Sequence, residues 1–193
     1  MSQRIIGLTG GIGTGKSAIA HYLENLYNIP ILDADYYARE AVREDSPILE
    51  RIKNRYGNEV INIDDSLNRS RLGEIIFNNA TEKQWLEEQI HPYVRHQIET
   101  ALSASNAKII VAMIPLLFEV KMQDLVTETW VVYCPKEEQL KRIMERDGLS
   151  EKEARSRINA QMSLSDKIAL ADVVIDNSGS LLHLQKQLHQ LLA

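Results

Sequence analysis

Short apolar runs set the rhythm of this chain. Arg4–Leu8, Ile29–Leu32, Ile109–Ile114, Thr129–Tyr133 and Asp172–Ile175 are brief, rich in isoleucine and valine, and do not alternate with polar residues. Such runs predict strands buried on both faces, as in a parallel sheet. Between them the period changes. Over Ser17–Leu26, Ile19, Tyr22, Leu23 and Leu26 recur at helical spacing and mark one apolar face. Strand, helix and strand in that order predict an α/β fold.

The stretch from Tyr36 to Ala107 breaks the rhythm. It separates the second and third strands and reads mostly as helix. Ser46-Pro47 is an N-cap followed by proline at the first helical position. Thr81-Glu82-Lys83-Gln84 and Ser150-Glu151-Lys152-Glu153 have the form of capping boxes, and Tyr56-Gly57 looks like a helix stop. A crossover needs only a dozen or so residues. The excess predicts an inserted helical subdomain, a common place for a substrate site.

Composition narrows the classes. The 193 residues are 44% hydrophobic and 25% charged, which excludes a disordered or collagen-like chain. Twenty-two basic against 27 acidic residues give a net charge of -5, a field that repels nucleic acid, so none is expected as a partner. With Cys134 alone there is no intrachain disulfide, and the five histidines form no i,i+4 pair or HExxH. The longest apolar run, Ile109–Phe118, contains Pro115 and is too short to span a bilayer. No membrane contact is expected. The N-terminus shows no secretion signal, so a cytoplasmic location is expected. The pattern carries no signal of oligomeric state.

An anionic ligand therefore needs a local device, and the chain has one. Gly10-Gly11-Ile12-Gly13-Thr14-Gly15-Lys16-Ser17 fits G-x-x-x-x-G-K-[ST] after a strand and before a helix. The glycines let successive N–H groups turn inward as an anion nest, and the helix adds its positive end. Gly11, Ile12, Gly13, Thr14, Gly15, Lys16 and Ser17 are the candidate nucleotide-binding residues. Lys16 is placed to reach the β- and γ-phosphates, and Ser17 to offer its hydroxyl to Mg²⁺. A dinucleotide turn fits less well, because its third glycine is missing.

A GTP-dependent switch lacks its N-K-x-D here, which leaves an enzyme passing a γ-phosphoryl group to a small alcohol. Asp33 ends the second strand, where ligands bind in α/β sheets, and is the candidate base. Asp35 lies two residues on; either acid also suits a helix N-cap. Lys136–Arg157 holds seven basic and six acidic residues, with Arg142 and Arg146 on one helix face. Two helices joined by Asp147-Gly148-Leu149 resemble a hinged lid more than a merely solvated pair. A kinase of another small alcohol, or a scaffold without turnover, remains open at this point.

A wider set of motifs carries a resemblance. Leu8–Ser17, Asp33-Ala34-Asp35, Arg71-Leu72-Gly73, His91-Pro92 and Pro115-Leu116-Leu117-Phe118-Glu119 are followed by Gln139–Arg142, Arg146–Leu149, Ala160-Gln161 and Ala171–Asn177. Over nearly its whole length the chain resembles the dephospho-coenzyme A kinases. The resemblance implies a three-layer phosphate-loop kinase fold with a five-stranded parallel sheet. It divides the chain into a nucleotide core (1–35, 108–135 and 170–193), a helical coenzyme-A-binding domain (36–107) and a lid (136–169). It implies transfer of the ATP γ-phosphoryl group to the ribose 3′-hydroxyl of dephospho-coenzyme A, the last step of coenzyme A synthesis. Asp33 would be the base, with Lys16, Arg142 and Arg146 neutralising the phosphoryl group. Asp35, Arg71, His91, Arg95 and the Leu117-Phe118 segment would hold the acceptor, and Asn177 would lie near the adenine. The third strand ends without an acid before Glu119. Ser17 is therefore the one metal ligand expected, with Asp33 or Asp35 open as its complement.

Overall fold

The computed structural model describes residues 3–77 and 79–192. The chain divides into two compact units, one holding Ala34–Ala104 and the other the residues on either side of it.

The flanking unit is built on a sheet of β1 (Arg4–Gly10), β2 (Ile31–Asp33), β3 (Ile109–Met113), β4 (Glu128–Tyr133) and β5 (Val173–Asp176). Every pairing is parallel, in the order β2-β3-β1-β4-β5. The non-alternating runs are the reason. Ile6, Leu8, Ile110, Val111, Val131 and Val132 are all 0% exposed, so both strand faces are covered. On one face Ile19, Ala20 and Leu23 of α1 (Lys16–Tyr27) join Ile6, Leu8, Trp130 and Ile175 in one cluster. The second helix run, near the C-terminus, adds Leu184 and Leu188. β2 starts two residues later than the pattern predicts. Asn28 closes α1 in the left-handed conformation, and Ile29 still donates back to Leu23 O. Asp33 is therefore the last strand residue rather than the first loop residue.

The unit of Ala34–Ala104 is helical. It comprises α2 (Ala34–Glu40), α3 (Pro47–Tyr56), α4 (Arg69–Phe77) and α5 (Ala80–Ala104). Ser46 caps α3 through its hydroxyl at 3.0 Å from Leu49 N, and Gly57 closes it. The cap of α5 is not Thr81. Asn79 Oδ1 accepts from Thr81 N and Glu82 N instead, which starts the helix two residues earlier, at Ala80. Val42, Ile48, Leu49, Ile52, Val60, Leu67, Leu72 and Leu86 form this unit's own core.

The segment after β4 begins at α6 (Lys136–Asp147), followed by α7 (Glu151–Asn159) and α8 (Leu164–Ala169). It belongs to the sheet unit, and α9 (Leu181–Leu192) completes the chain. The box at Ser150 forms as the sequence predicts, with both reciprocal bonds present. Leu140, Ile143 and Ala154 make a small core that joins α6 to α7.

Candidate active site

The loop between β1 and α1 is shaped by two glycines above all. Gly10 has φ 145° and its missing Cβ would stand 2.6 Å from Val132 O; Gly13 has φ 77° with Gln139 O at 3.0 Å. A side chain at either position meets backbone that has no room to move. Thr14 locks the turn, its hydroxyl donating to Gly11 O at 2.8 Å. The Lys16 ammonium folds back over the loop, 3.0 Å from Gly10 O and 2.8 Å from Gly11 O.

The N-terminus of α1 is left open to an anion. Serines 46, 150 and 163 cap α3, α7 and α8, each with an acid in the first turn. Helix α1 has neither, since Gly15 supplies no side-chain cap and its first turn contains no acid. Its first N–H groups and its positive end therefore face the loop.

Distant residues brace this loop. Gln139 Nε2 donates to Ile12 O at 2.8 Å, and Gln161 Oε1 accepts from Ile12 N at 2.8 Å. Asn177 Nδ2 donates to Thr14 O at 2.8 Å. Arg142 reaches Asn177 O at 3.0 Å and Thr14 O at 3.4 Å, while also pairing with Glu138 at 3.2 Å. The motif gave no role to Gln139 and Gln161, and their sequence signal was only membership of Gln139–Arg142 and Ala160-Gln161.

Sheet register fixes Asp33. Its partner is Met113, which in turn pairs with Leu8, two residues before Gly10. At one strand spacing per step, Asp33 stands roughly 10 Å from β1 at the carboxyl edge of the sheet. That edge is where α/β folds bind ligands.

The turn after β3 is anchored by a lysine that the sequence reading passed over. Lys167 of α8 is 0% exposed. Its ammonium sits 2.9 Å from Pro115 O and 2.9 Å from Glu119 Oε1. Thr9 Oγ1 donates to the same Pro115 oxygen at 3.0 Å, and Met162 N donates to Glu119 at 3.1 Å. No pattern distinguishes this lysine from a solvated one on a polar helix. Leu117 and Phe118 lie in this turn with 0% and 5% exposure, packed as core.

Other expected residues stand as follows. Arg146 pairs with Asp147 at 2.7 Å, and Arg157 shares that carboxylate. Ser17 is exposed in the first turn of α1. In the helical unit, Asp35 is exposed at the start of α2. Arg71 pairs with Glu59 at 2.7 Å and Glu74 at 3.0 Å, and Arg95 with Glu99 at 2.8 Å. His91 is half-buried on α5. Burial pushes its pKa below the ordinary value, against the pull of Glu87, so the ring is neutral at physiological pH. Burial pushes the Cys134 thiol up, which keeps it inert.

The arrangement suits a nucleotide phosphate chain and offers a carboxylate at the same sheet edge, as phosphoryl transfer to an alcohol requires. Comparison with known proteins agrees. A family model described as dephospho-CoA kinase matches residues 4–183. The dephospho-CoA kinase of Trichormus variabilis is 56% identical over 187 residues, 97% of this chain and 95% of that protein. A crystal structure of a Thermus thermophilus protein superposes with a TM-score of 0.85 at 34% identity, over 100% of this chain and 97% of that one. The dephospho-CoA kinase of Campylobacter jejuni does so with a TM-score of 0.73 at 30% identity, over 99% and 96%.

Proposed function

The chain belongs to the dephospho-CoA kinase family, and from that premise we propose how its residues divide the reaction. The activity is ATP-dependent phosphorylation of dephospho-coenzyme A to coenzyme A, the final step of coenzyme A biosynthesis. The 3′-hydroxyl oxygen of the acceptor ribose attacks the γ-phosphorus. Its bond to phosphorus forms as the bond to the β,γ-bridging oxygen breaks, ADP leaves, and the hydroxyl proton passes to the Asp33 carboxylate. Lys16 exchanges its carbonyl partners for the β- and γ-phosphates. Gly11–Ser17 hold the chain of phosphates through backbone N–H groups, Asn177 borders the adenine, and Arg142 joins Lys16 in neutralising the transferring group. Arg146 leaves Asp147 when the lid of 136–169 closes and neutralises the transferring group.

The donor set suits Mg²⁺. The described residues contain no cluster of three or more histidine, cysteine or acidic side chains fit for a metal, so a soft or fully caged ion is not provided for. The Ser17 hydroxyl, with Asp33 or Asp35, phosphate oxygens and water, makes a hard-oxygen site of the kind Mg²⁺ prefers. Bound there, the ion would neutralise charge between the β- and γ-phosphates.

In the helical domain, Asp35, Arg71, His91 and Arg95 hold the acceptor, Arg71 and Arg95 by giving up glutamates for phosphate. Leu117 and Phe118 contribute by fixing the turn that carries them. Among the described residues no helix is long and apolar enough to cross a membrane. A cytoplasmic location is part of this reading and rests on the lone inert thiol.

The observation that carries the reading is the uncapped, acid-free N-terminus of α1 under Lys16, at the sheet edge that Asp33 ends. Asp33→Asn tests it. ATP binding persists within about twofold, while kcat with dephospho-coenzyme A falls by about 10² to 10⁴. A near-normal kcat in that variant rules out Asp33 as the base.

A further inference from the structure

Among the described residues Lys167 is the one charged side chain with no exposure. A buried ion pair is weak support for a fold, because apolar residues of similar volume commonly serve stability as well. The contacts of this pair show what apolar residues could not do. One oxygen of Glu119, Oε1, takes both the Lys167 ammonium at 2.9 Å and the backbone N–H of Met162 at 3.1 Å. Glu119 Oε2 at 3.1 Å and Pro115 O at 2.9 Å complete the surroundings of the ammonium.

Met162 lies in the short connection between α7 and α8, which has no helix or strand ladder of its own to hold it. Its neighbour in the chain is Gln161, whose Oε1 accepts from Ile12 N of the phosphate loop at 2.8 Å. At the other end, Thr9 Oγ1 donates to Pro115 O at 3.0 Å. Thr9 is also without exposure and immediately precedes Gly10. The contacts therefore close a ring. It leaves the chain at Thr9, passes through Pro115, Lys167, Glu119 and Met162, and returns through Gln161 to Ile12. The end of β1 and the start of the loop are fixed to one frame. No buried polar side-chain atom among the described residues lacks a partner.

We propose that Lys167 and Glu119 are positioning residues for the phosphate loop: the pair fixes Met162, Met162 sets the Gln161 amide, and that amide holds the Ile12 peptide in the form that receives ATP. This rests on the family reading above and adds to it a strut that acts on the loop from α8. A loop ordered before its ligand arrives loses less freedom on binding, so the strut contributes to affinity for ATP. Its contribution is separable from folding, because a second feature of Glu119, the bond to Met162 N, carries it.

Calorimetric titration with ATP and Mg²⁺, beside thermal unfolding of the same variants, separates positioning from support. Gln161→Leu weakens ATP binding by about fivefold and lowers the melting temperature by less than about 3 °C. Lys167→Met/Glu119→Leu replaces the pair with apolar groups and removes the acceptor of Met162 N. It melts within about 3 °C of the wild type yet also binds ATP about fivefold more weakly. Adding Gln161→Leu to it costs less than about a further twofold, because both changes undo one strut. Glu119→Gln runs the other way, since it keeps an oxygen for Met162 N but leaves the buried ammonium without its anion. Its ATP affinity stays within about twofold while its melting temperature falls by at least about 4 °C. Wild-type ATP affinity in Gln161→Leu overturns the proposal, whether or not the paired variant folds. A multiplied loss of roughly 25-fold in the combined variant overturns it as well. The expected ATP pattern with no turnover of dephospho-coenzyme A by the wild type overturns the family reading and leaves the strut standing.

Discussion

The phosphate loop and the helical domain secure their polar side chains by opposite means. The side chains that brace the loop do so on its backbone carbonyls, with Arg142 also paired to Glu138. Lys16 lies on Gly10 O and Gly11 O, Gln139 on Ile12 O, and Asn177 and Arg142 on Thr14 O. In the helical domain the contacts run from side chain to side chain between charges, as in Arg55–Glu82, Arg71–Glu59 and Arg95–Glu99. The difference has a functional sense. A cation resting on a carbonyl turns to a phosphate by exchanging a neutral partner, whereas one held by a glutamate must break an ion pair. The loop is built for the ligand, and most of the helical domain's charges are built for the fold.

The sharpest way to break the comparison is at Lys16. On the proposed reading its charge meets the phosphates on binding and meets them more strongly in the transition state, so Lys16→Ala is expected to cost about 10³ in kcat and to raise KM for ATP as well. Initial rates of ADP release measure both. An effect confined to KM would mean that the lysine only docks the nucleotide.

Lys167 and Glu119 form an ion pair in the sheet unit. The lysine, with no exposure at all, ties α8 to the turn after β3. Lys167→Met leaves Glu119 without its cation and Pro115 O with Thr9 as its remaining donor, at an expected cost of about 3 kcal/mol. Thermal unfolding reads this as a melting temperature lower by about 6–12 °C for a chain of this size. If the loss is under about 2 °C, the pair is replaceable and the comparison extends to the whole sheet unit.

Gln139 tests the neutral bracing directly. Gln139→Leu keeps the volume and removes the donor to Ile12 O. The loop loosens without losing charge, and KM for ATP rises by about tenfold. Because no charge is removed, raising the salt concentration leaves that ratio nearly unchanged. This brace also shows which parts of the site were legible in the sequence. Gly10–Ser17 was legible because its geometry is local: glycines, lysine and serine are contiguous, and strand and helix flank them. Gln139 and Gln161 meet Ile12 across 127 and 149 residues, and Asn177 meets Thr14 across 163. Contacts of that span follow from the strand order, which periodicity alone does not give. The three central strands were legible because burial on both faces leaves a continuous apolar run, and the less buried edge strands β2 and β5 by their short isoleucine- and valine-rich runs. The start of α5 was misread because Asn79 and Thr81, two residues apart, can each serve as a cap, and in the fold Asn79 accepts the first N–H groups.

The smallest effect, and the one specific to the charged side of the comparison, lies at Glu82. Arg55 bonds its carboxylate at 2.6 Å, Tyr56 OH donates to it at 2.6 Å, and the guanidinium lies 4.5 Å over the Trp85 ring. The bonds from Arg55 and Tyr56 pull the carboxyl down to about 2 from an ordinary 4.5. A depressed acid contributes stability that is complete above the ordinary value and disappears as pH falls through the folded one. Glu82→Gln should therefore melt lower than the wild type by a constant margin above about pH 5, with the two curves converging as pH falls toward 2. Tyr56 adds an alkaline counterpart. Burial first, and Glu82 second, push its phenol up to about 12. A raised phenol stabilises fully below its ordinary value near 10 and loses that share as pH rises through 12. The variant removes only the carboxylate's share of that shift, since burial remains, so its alkaline limb moves less than its acid limb. Salt near 1 M should narrow the neutral-pH margin at this exposed cluster. The same salt should leave the Gln139→Leu ratio in place. If salt acts equally on both, the division between a loop held by neutral contacts and a helical domain held by charge does not stand.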